Sequence, residues 1–338
     1  MKTSEFHFDL PEHLIAQKPT KNRDDSRLLV LNRKTNSMEH AIFKNITKYL
    51  SDKDILVFNN TKVINARINT KRKTNGKVEC FLLEPLSPNL WLALLKPSKR
   101  LQVGETLQIN DRFTITIIEK NPQTGMHKVK IQTSGNIYEE LNLVGSMPLP
   151  PYIKAPLQES SDYQTLLASQ YGSVAAPTAG RHFSKELLAE LSQKNIQTEM
   201  VTLHIGYGTF KPIQSELIEN HSMHEERYYL SPETAERLTK AYYTHNIIAV
   251  GTTVIRTLES AFDGEKFRSG HGQTNLFIRP GYKFKSIKGI VTNFHLPKSS
   301  LFILVSAFYS KQHILAAYSE AIKKEYRFFS FGDAMLIR

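Results

Sequence analysis

Short apolar runs alternate with longer stretches of helical periodicity near both ends of the chain. In residues 1–66 and 147–338, the runs that we predict as strands are 28–31, 55–58, 197–205, 247–250 and 287–294. The stretches that we predict as helices are 43–50, 184–191, 232–244, 254–261, 301–309 and 312–326, with another led by residues 162–165. Strands that alternate with helices are typical of an α/β fold.

The middle of the chain has a different pattern. Between residues 67 and 146, strand-like runs recur at 78–83, 90–95, 106–109, 113–118 and 128–132, separated by turn residues and without helices between them. This spacing favours a small barrel or sandwich. We therefore predict an α/β fold of mixed α+β type. A discontinuous α/β catalytic domain (1–66 and 147–338) carries an inserted small antiparallel β-barrel domain (67–146).

Three polar stretches are predicted to be loops. Residues 71–73 and 96–100 are basic and are candidates for phosphate contact, although a solvated loop is the slightly favoured interpretation. Residues 263–273 are polar and glycine-rich, which indicates a mobile loop.

Polar residues also follow the predicted strands. Residues 59–62 come directly after the run 55–58, and Gly-Thr-Thr at 251–253 follows the run 247–250. Open α/β sheets tend to bind ligands just beyond the carboxyl ends of their strands, but simple turns are an equal alternative. Arg256 lies in the helix that follows. Its guanidinium is suited either to binding a carboxylate or phosphate or to a structural salt bridge.

Residues 172–183 combine small side chains with hydrogen-bond donors, which are supplied by Ser173, Thr178, Arg181 and His182. Ser184 is placed to cap the following helix. A polar loop that leads into a helix N-terminus is suited to hold a carboxylate or phosphate. An ordinary tight loop between a strand and a helix is the other interpretation.

Histidines are the most suggestive side chains for chemistry, because imidazole exchanges protons near neutral pH. Those at loop-like or strand-end positions are His182, His204, His221, His224 and His295. The spacing of His221 and His224 permits one turn of metal ligands, but no cysteine assists them, and surface or structural histidines are an alternative. Glu225 and Glu226 beside them offer carboxylates for a cationic ligand or belong to a charged helix face.

Composition narrows the class of protein. The 338 residues carry 44 Lys and Arg against 32 Asp and Glu, a net charge of +12. Such a charge favours polyanionic partners, although many basic proteins bind no nucleic acid. The single cysteine, Cys80, excludes an internal disulfide and a multi-cysteine metal site. No apolar run approaches a membrane span and the N-terminus lacks a signal-peptide pattern. We therefore expect a cytoplasmic protein without membrane contact.

Several literal segments together resemble one family. Residues 172–183, 204–210, 221–224, 250–260 and 292–299 are similar to the S-adenosylmethionine:tRNA ribosyltransferase-isomerases of queuosine biosynthesis. The resemblance continues in residues 8–11, 59–63 and 326–333, so that it covers nearly the whole chain. Two positions depart from the pattern, because Arg181 and Tyr207 stand where leucine is expected.

The resemblance implies a reaction. Members transfer and isomerise the ribosyl part of S-adenosylmethionine onto the aminomethyl group of 7-aminomethyl-7-deazaguanine (preQ1) in tRNA, which gives epoxyqueuosine and releases adenine and methionine. S-adenosylmethionine is then a consumed substrate, and neither a cofactor nor a metal is expected. The implied partners are S-adenosylmethionine and the anticodon loop of preQ1-modified tRNA. The implied fold is an α/β domain with an inserted β-barrel, and a monomer is the expectation.

Such a site needs a carboxylate or an aromatic face for the sulfonium, a base, an acid, and a group for the methionine carboxylate. The residues predicted for proton transfer are His182 and His204, followed by His221, His224 and Glu225. Those predicted to bind substrate are Ser173, Thr178, Gly180, Arg181, Gly206, Thr252, Thr253, Arg256 and His295.

Two other classes of protein remain open. A non-catalytic RNA-binding protein would bind tRNA without consuming S-adenosylmethionine. A methyltransferase would release S-adenosylhomocysteine instead of adenine and methionine.

Overall fold

The computed structural model of the chain describes residues 1–157, 159–210 and 212–338. Numbered along the chain, the strands are β1 (Arg27–Asn32), β2 (Ser37–Ile42), β3 (Asp54–Asn59), β4 (Thr61–Val63), β5 (Arg67–Lys71), β6 (Lys77–Ser87), β7 (Leu90–Lys96), β8 (Thr106–Asn110), β9 (Phe113–Glu119), β10 (Met126–Thr133), β11 (Gly145–Ser146), β12 (Gln170–Ser173), β13 (Gln197–Leu203), β14 (Glu226–Leu230), β15 (Asn246–Val250), β16 (Gly270–Thr274), β17 (Gly289–Asn293) and β18 (Ala334–Ile337).

The α-helices are α1 (Ile137–Val144), α2 (Lys185–Gln193), α3 (Pro232–Tyr242), α4 (Thr252–Ala261), α5 (Ser300–Phe308) and α6 (Lys311–Lys323). Short 3₁₀ helices span Thr3–Phe6, Glu12–Leu14, Arg23–Asp25, Phe43–Tyr49, Ser160–Tyr163, Thr178–His182, Tyr207–Phe210 and Ile218–Asn220. The predicted cap of α2 is confirmed, because the Ser184 hydroxyl accepts a hydrogen bond at 3.0 Å from a backbone N–H of the first turn. Ser231 and Ser299 cap α3 and α5 in the same way, each at 3.1 Å.

A nine-stranded mixed sheet forms the body of the protein, in the order β16-β14-β13-β3-β15-β17-β18-β1-β2. Four neighbouring strands, β13, β3, β15 and β17, run parallel to one another. Their carboxyl ends therefore meet at one edge of the sheet. β14 runs antiparallel to β13, so that its first residues lie at that same edge.

Helices cover both faces of this sheet, as the alternation along β3 requires. Ile55 and Val57 pack in one core with side chains from α3, α4, α5 and α6. Leu56 and Phe58 pack in a second core with α2 and the Phe43–Tyr49 helix. A strand that is buried on both faces has apolar residues at consecutive positions, and the run 55–58 therefore predicts a strand from the sequence.

The inserted segment folds as the predicted antiparallel barrel. Its sheet has the order β11-β5-β6-β7-β10-β9-β8, and a pairing of β5 with β8 through Lys71 and Gln108 closes six strands into a barrel. Trp91 and Phe113 fill the interior. The fold class is confirmed. One short helix in this segment, α1, was not predicted.

Two predictions of local structure are wrong. Residues 162–165 do not lead a helix, because the only helical turn there is the 3₁₀ segment Ser160–Tyr163. Residues 263–273 are not simply a loop, because their last part belongs to β16, which pairs with β14 at the edge of the large sheet. Residues 270–274 form a strand because β14 supplies the pairing partner.

The basic segments of the barrel are only partly loops. Lys71 belongs to β5, and Arg72 forms an ion pair with Glu105 at 2.5 Å. Phosphate contact by these residues stays a prediction. Among the described residues, no helix is long and apolar enough to cross a membrane.

Candidate active site

A cavity of about 410 Å³ lies beyond the carboxyl ends of β13, β15 and β17. The residues that follow these strands contribute Ile205, Gly251 and His295 to its wall. Residues 175–179 and 329–330 form other parts of the wall. A volume of this size is within the usual range for a site that encloses a small molecule.

One wall of the cavity is the N-terminus of α4. Gly251 precedes the helix with φ of 99°, a left-handed conformation that glycine adopts without strain. Thr252 and Thr253 of the first turn line the cavity. Asn59, at the end of β3, fixes this turn because its Nδ2 donates to Thr253 Oγ1 at 3.1 Å and to the Leu203 carbonyl at 3.0 Å. The free N–H groups of a first turn favour a bound anion.

Glu226 and Arg256 form a buried ion pair in the cavity wall. The guanidinium of Arg256 is fixed by two further hydrogen bonds, to the carbonyls of Leu276 and Thr274, both at 3.1 Å. Glu226 Oε1 accepts from Thr209 Oγ1, from His224 Nε2 and from the Gly206 N–H, each at 3.2 Å.

The surroundings of Glu226 keep its carboxyl group ionised. Burial alone would raise its pKa, but the hydrogen bond from His224 and the charge of Arg256 outweigh burial and hold the pKa below its ordinary value. The cavity wall therefore holds an ionised carboxylate in direct contact with the Arg256 guanidinium. The N-terminus of α4 adds the N–H groups of its first turn.

His295 lines the cavity as a neutral imidazole. Burial lowers its pKa to about 3. Its Nε2 lies 2.7 Å from Thr292 Oγ1, and its backbone N–H donates to the Tyr318 hydroxyl at 2.9 Å. Within the described residues, Nδ1 has no hydrogen-bond partner. A neutral ring with one free nitrogen is able to exchange a proton with a bound molecule.

The rest of the cavity is largely apolar and aromatic. Tyr152 and Phe329 lie with ring centroids 4.8 Å apart, and Tyr152 Oη lies 2.7 Å from Ser330 Oγ. Met223 and Leu301 add apolar surface. Flat and apolar walls beside a polar end suit a ligand with an aromatic ring at one end and charges at the other.

Comparison with known proteins identifies the family. Residues 3–337 match the model of the queuosine biosynthesis protein family. The chain belongs to this family. Curated S-adenosylmethionine:tRNA ribosyltransferase-isomerases from Thermoanaerobacter sp. (strain X514) and Staphylococcus aureus (strain Newman) are 49% and 48% identical to it over 100% of each chain.

A solved structure agrees. The crystal structure of an S-adenosylmethionine tRNA ribosyltransferase from Thermotoga maritima is similar with a TM-score of 0.58 and 35% identity, over 99% of this chain and 100% of that chain. The resemblance predicted from the motifs is confirmed, and the chain is an enzyme of the transferase and isomerase type.

The family motifs contribute unequally to the cavity. Five predicted substrate-binding residues line it, namely Thr178, Thr252, Thr253, Arg256 and His295. Four others lie outside its wall, namely Ser173, Gly180, Arg181 and Gly206. The predicted proton-transfer residues also lie outside the wall, namely His182, His204, His221, His224 and Glu225.

His182 is enclosed in the protein and lies behind the cavity wall. Its Nδ1 lies 2.7 Å from Ser26 Oγ and its Nε2 lies 2.9 Å from Asn293 Nδ2. Burial, together with the charges of Arg181 and Arg327, lowers its pKa to about 3. Both ring nitrogens have partners within the fold, so His182 links the residue before β1 and the end of β17 to the Thr178–His182 turn. Its predicted role in proton transfer stays a prediction.

His204 lies outside the cavity wall, beside Thr61 and Gly172. The His204 Nδ1 is 2.9 Å from Thr61 Oγ1, and the ring packs against Gly172, where an added Cβ would lie 2.9 Å from it. Burial and the charges of Arg227 and His271 lower the pKa of His204.

The other predicted proton-transfer residues also lie outside the wall. The His221 ring packs against Phe277 with centroids 5.1 Å apart, and Glu225 is exposed. His224 contacts the cavity-wall residues Glu226 and Thr209 through its Nε2, at 3.2 and 3.4 Å. Their roles in the reaction stay predictions.

The predicted binding residues outside the wall support it from behind. Ser173 Oγ donates to the Ala175 carbonyl at 2.7 Å and accepts from the Ile205 N–H at 2.9 Å. Gly180 packs closely on Thr165, and the Gly206 N–H binds Glu226. Arg181 is buried, with its Nη1 donating to the Ser330 carbonyl at 3.2 Å.

Glu226 is the main cavity residue that was not selected from the sequence. The sequence offers it beside Glu225 as a carboxylate for a cationic ligand. The signal that separates the two acids is the alternation along the run that begins at residue 226, in which Glu226 and Tyr228 are buried more than Arg227. Tyr152, Thr209 and Asn293 also line the cavity and carried no comparable signal.

No group of three or more histidine, cysteine or acidic side chains is arranged to hold a metal ion in residues 1–157, 159–210 and 212–338. Cys80 lies buried in the barrel core, where burial raises the pKa of its thiol.

Proposed function

We propose that the chain transfers and isomerises the ribosyl moiety of S-adenosylmethionine onto preQ1 in tRNA and releases adenine and methionine. Its product is epoxyqueuosine-tRNA, and S-adenosylmethionine is a consumed substrate, not a cofactor. Support comes from family membership, from the names of relatives that match over their whole length, and from the cavity.

The observation that carries this proposal is the ionised Glu226 in a cavity that is otherwise mostly apolar. S-adenosylmethionine has a sulfonium and an ammonium, a carboxylate, and an aromatic base. Glu226 is suited to the cationic groups. Arg256 and the α4 N-terminus are suited to the carboxylate, and the wall around Tyr152 and Phe329 is suited to adenine.

The geometry favours His295 for proton transfer over His182 and His204. His295 lines the cavity with Nδ1 free, whereas the two nitrogens of His182 are bound within the fold. A neutral imidazole is able to take the acidified proton on the carbon next to the sulfonium. The reaction needs no covalent nucleophile on the protein.

The partners of the site follow from the same proposal. A net charge of +12 favours binding to tRNA, for which the anticodon loop carrying preQ1 is the expected region. A monomer and a cytoplasmic location, where tRNA is modified, stay predictions.

The test is mass spectrometry of a reaction that contains the protein, S-adenosylmethionine and tRNA carrying preQ1. Release of adenine and methionine, with a matching mass gain on that nucleoside, is the expected result. Release of S-adenosylhomocysteine would identify a methyltransferase instead. Tight binding of tRNA with both substrates unchanged would favour a non-catalytic RNA-binding protein.

A further inference from the structure

Side chains alternate between two faces where β13 and β14 meet. Ile205 and Glu226 line the cavity, so that their neighbours His204 and Arg227 point to the other face. The His204 N–H donates to the Arg227 carbonyl at 3.0 Å, which keeps the two residues side by side. Tyr229 continues this outer face along β14 and pairs with His271 of β16.

Rings and cations occupy this outer face and the β4–β12 pair beside it, which adjoins His204 through Thr61 and Gly172. We call the six residues Lys62, Tyr171, His204, Arg227, Tyr229 and His271 the basic aromatic strip. The rings of Tyr229 and His271 have centroids 4.6 Å apart, and Lys62 Nζ lies 4.4 Å from the centre of the Tyr171 ring. Tyr171 is stacked on Tyr138 at 4.9 Å with an interplanar angle of 8°.

The strip is open to solvent at one end. Tyr229 is 36% exposed, and Arg227 and His271 are exposed beside it. None of its six members is acidic. The exposed rings of Tyr229 and His271 lie beside the exposed cation of Arg227. Exposed rings next to a cation match single-stranded RNA, because bases stack on the rings and phosphates pair with the cations.

We propose that the basic aromatic strip stacks the nucleotides that flank the reacting base in the RNA loop. This inference rests on the proposed function, since it concerns the same RNA substrate. Residues 205–209 form the rim between strip and cavity, with Ile205 and Thr209 in the cavity wall. A Cβ added at Gly206 would meet no atom within 4 Å, so the rim is open there. A loop stacked on the strip extends one extruded nucleotide over this rim into the cavity.

The experiment measures the Kd of the full-length protein for unmodified and preQ1-containing tRNA by fluorescence anisotropy at several salt concentrations. Tyr229→Ala and His271→Ala are each expected to raise Kd about tenfold, the usual effect of removing one stacked ring. Tyr229→Phe keeps the ring and is expected to bind like the unchanged protein. The matched control is Tyr243→Ala, because Tyr243 is 69% exposed at the end of α3 and lies outside the strip.

The salt dependence of Kd separates the contribution of charge from that of stacking. Arg227→Ala is expected to reduce the slope of log Kd against log salt by about one, whereas Tyr229→Ala leaves that slope unchanged. The Kd for S-adenosylmethionine is expected to stay constant in all these variants, because the strip faces away from the cavity.

Several outcomes would overturn the inference. One is tRNA binding by Tyr229→Ala and His271→Ala that equals the unchanged protein, and another is an equal loss in Tyr243→Ala. These outcomes concern the Kd for tRNA, whereas the proposed function fails when adenine and methionine are not released. A protein that binds tRNA through the strip but never releases adenine and methionine contradicts the reaction and leaves the strip intact.

Discussion

Arg256 donates through Nη1 to Glu226, and both side chains line one cavity at the carboxyl edge of the sheet. The two residues are 30 positions apart in the chain and come from α4 and β14. Their pairing places an ionised carboxylate and a guanidinium side by side in a largely apolar wall, which is the basis of the first prediction.

Glu226→Gln is expected to weaken binding of S-adenosylmethionine about tenfold or more, because a charged contact contributes about 1.5–3 kcal/mol. Binding of S-adenosylhomocysteine, whose sulfur is neutral, is expected to change less. Isothermal titration calorimetry with both ligands measures the difference. Glu225→Gln is the matched control, since Glu225 is exposed and adjacent. Equal losses for the two ligands would show that Glu226 does not sense the sulfonium.

His295→Asn is expected to lower the single-turnover rate of adenine release by about 10²–10⁴-fold, the usual range for loss of a general acid or base. Thermal stability is expected to change less than it does in His182→Asn, which breaks two hydrogen bonds enclosed in the fold. A normal rate in His295→Asn together with a normal fold would exclude His295 from proton transfer.

Arg181→Leu is expected to stabilise the protein. The Arg181 side chain is buried with Nε unpartnered, and burial, with the charge of Arg23 next, lowers its pKa to about 9. Removing an unpartnered buried polar group recovers about 1–3 kcal/mol, from which the lost hydrogen bond to Ser330 and the contact with the Phe331 ring are subtracted. Urea unfolding measures the change. Arg181→Ala, which leaves a void, is expected to be less stable than Arg181→Leu.

The free energy of unfolding is expected to fall as the pH drops below about 6.5. His182 and His295 have pKa values of about 3 in the folded protein against 6.5 as the ordinary value. The unfolded chain therefore binds more protons between these values, and stability is present above 6.5 and lost as the pH falls towards 3. Two such groups remove up to about 4 kcal/mol between pH 7 and pH 5.

Urea unfolding at pH 7, 6 and 5 checks this expectation. A His182→Asn variant loses one of the two buried imidazoles and is expected to show a shallower dependence on pH. A pH-independent free energy of unfolding over this range would contradict it.

The elements that were predicted correctly carry local signals. The run 55–58 is continuous because β3 is buried on both faces, and Ser184, Ser231 and Ser299 cap helices through bonds to residues three positions later. β16 carried no such signal, because its polar residues become a strand only by pairing with β14.

The chain alone determined five strands of the large sheet, most of the barrel strands, several helix starts and the family, since periodicity, capping and literal motifs are properties of neighbouring residues. Only the tertiary structure decided which motif residues face the cavity. The Thr178–His182 turn directs Thr178 into the cavity and His182 behind its wall. The start of β14 buries Glu226 and leaves Glu225 in solvent. Such choices depend on contacts between residues far apart in the chain, which no local pattern records.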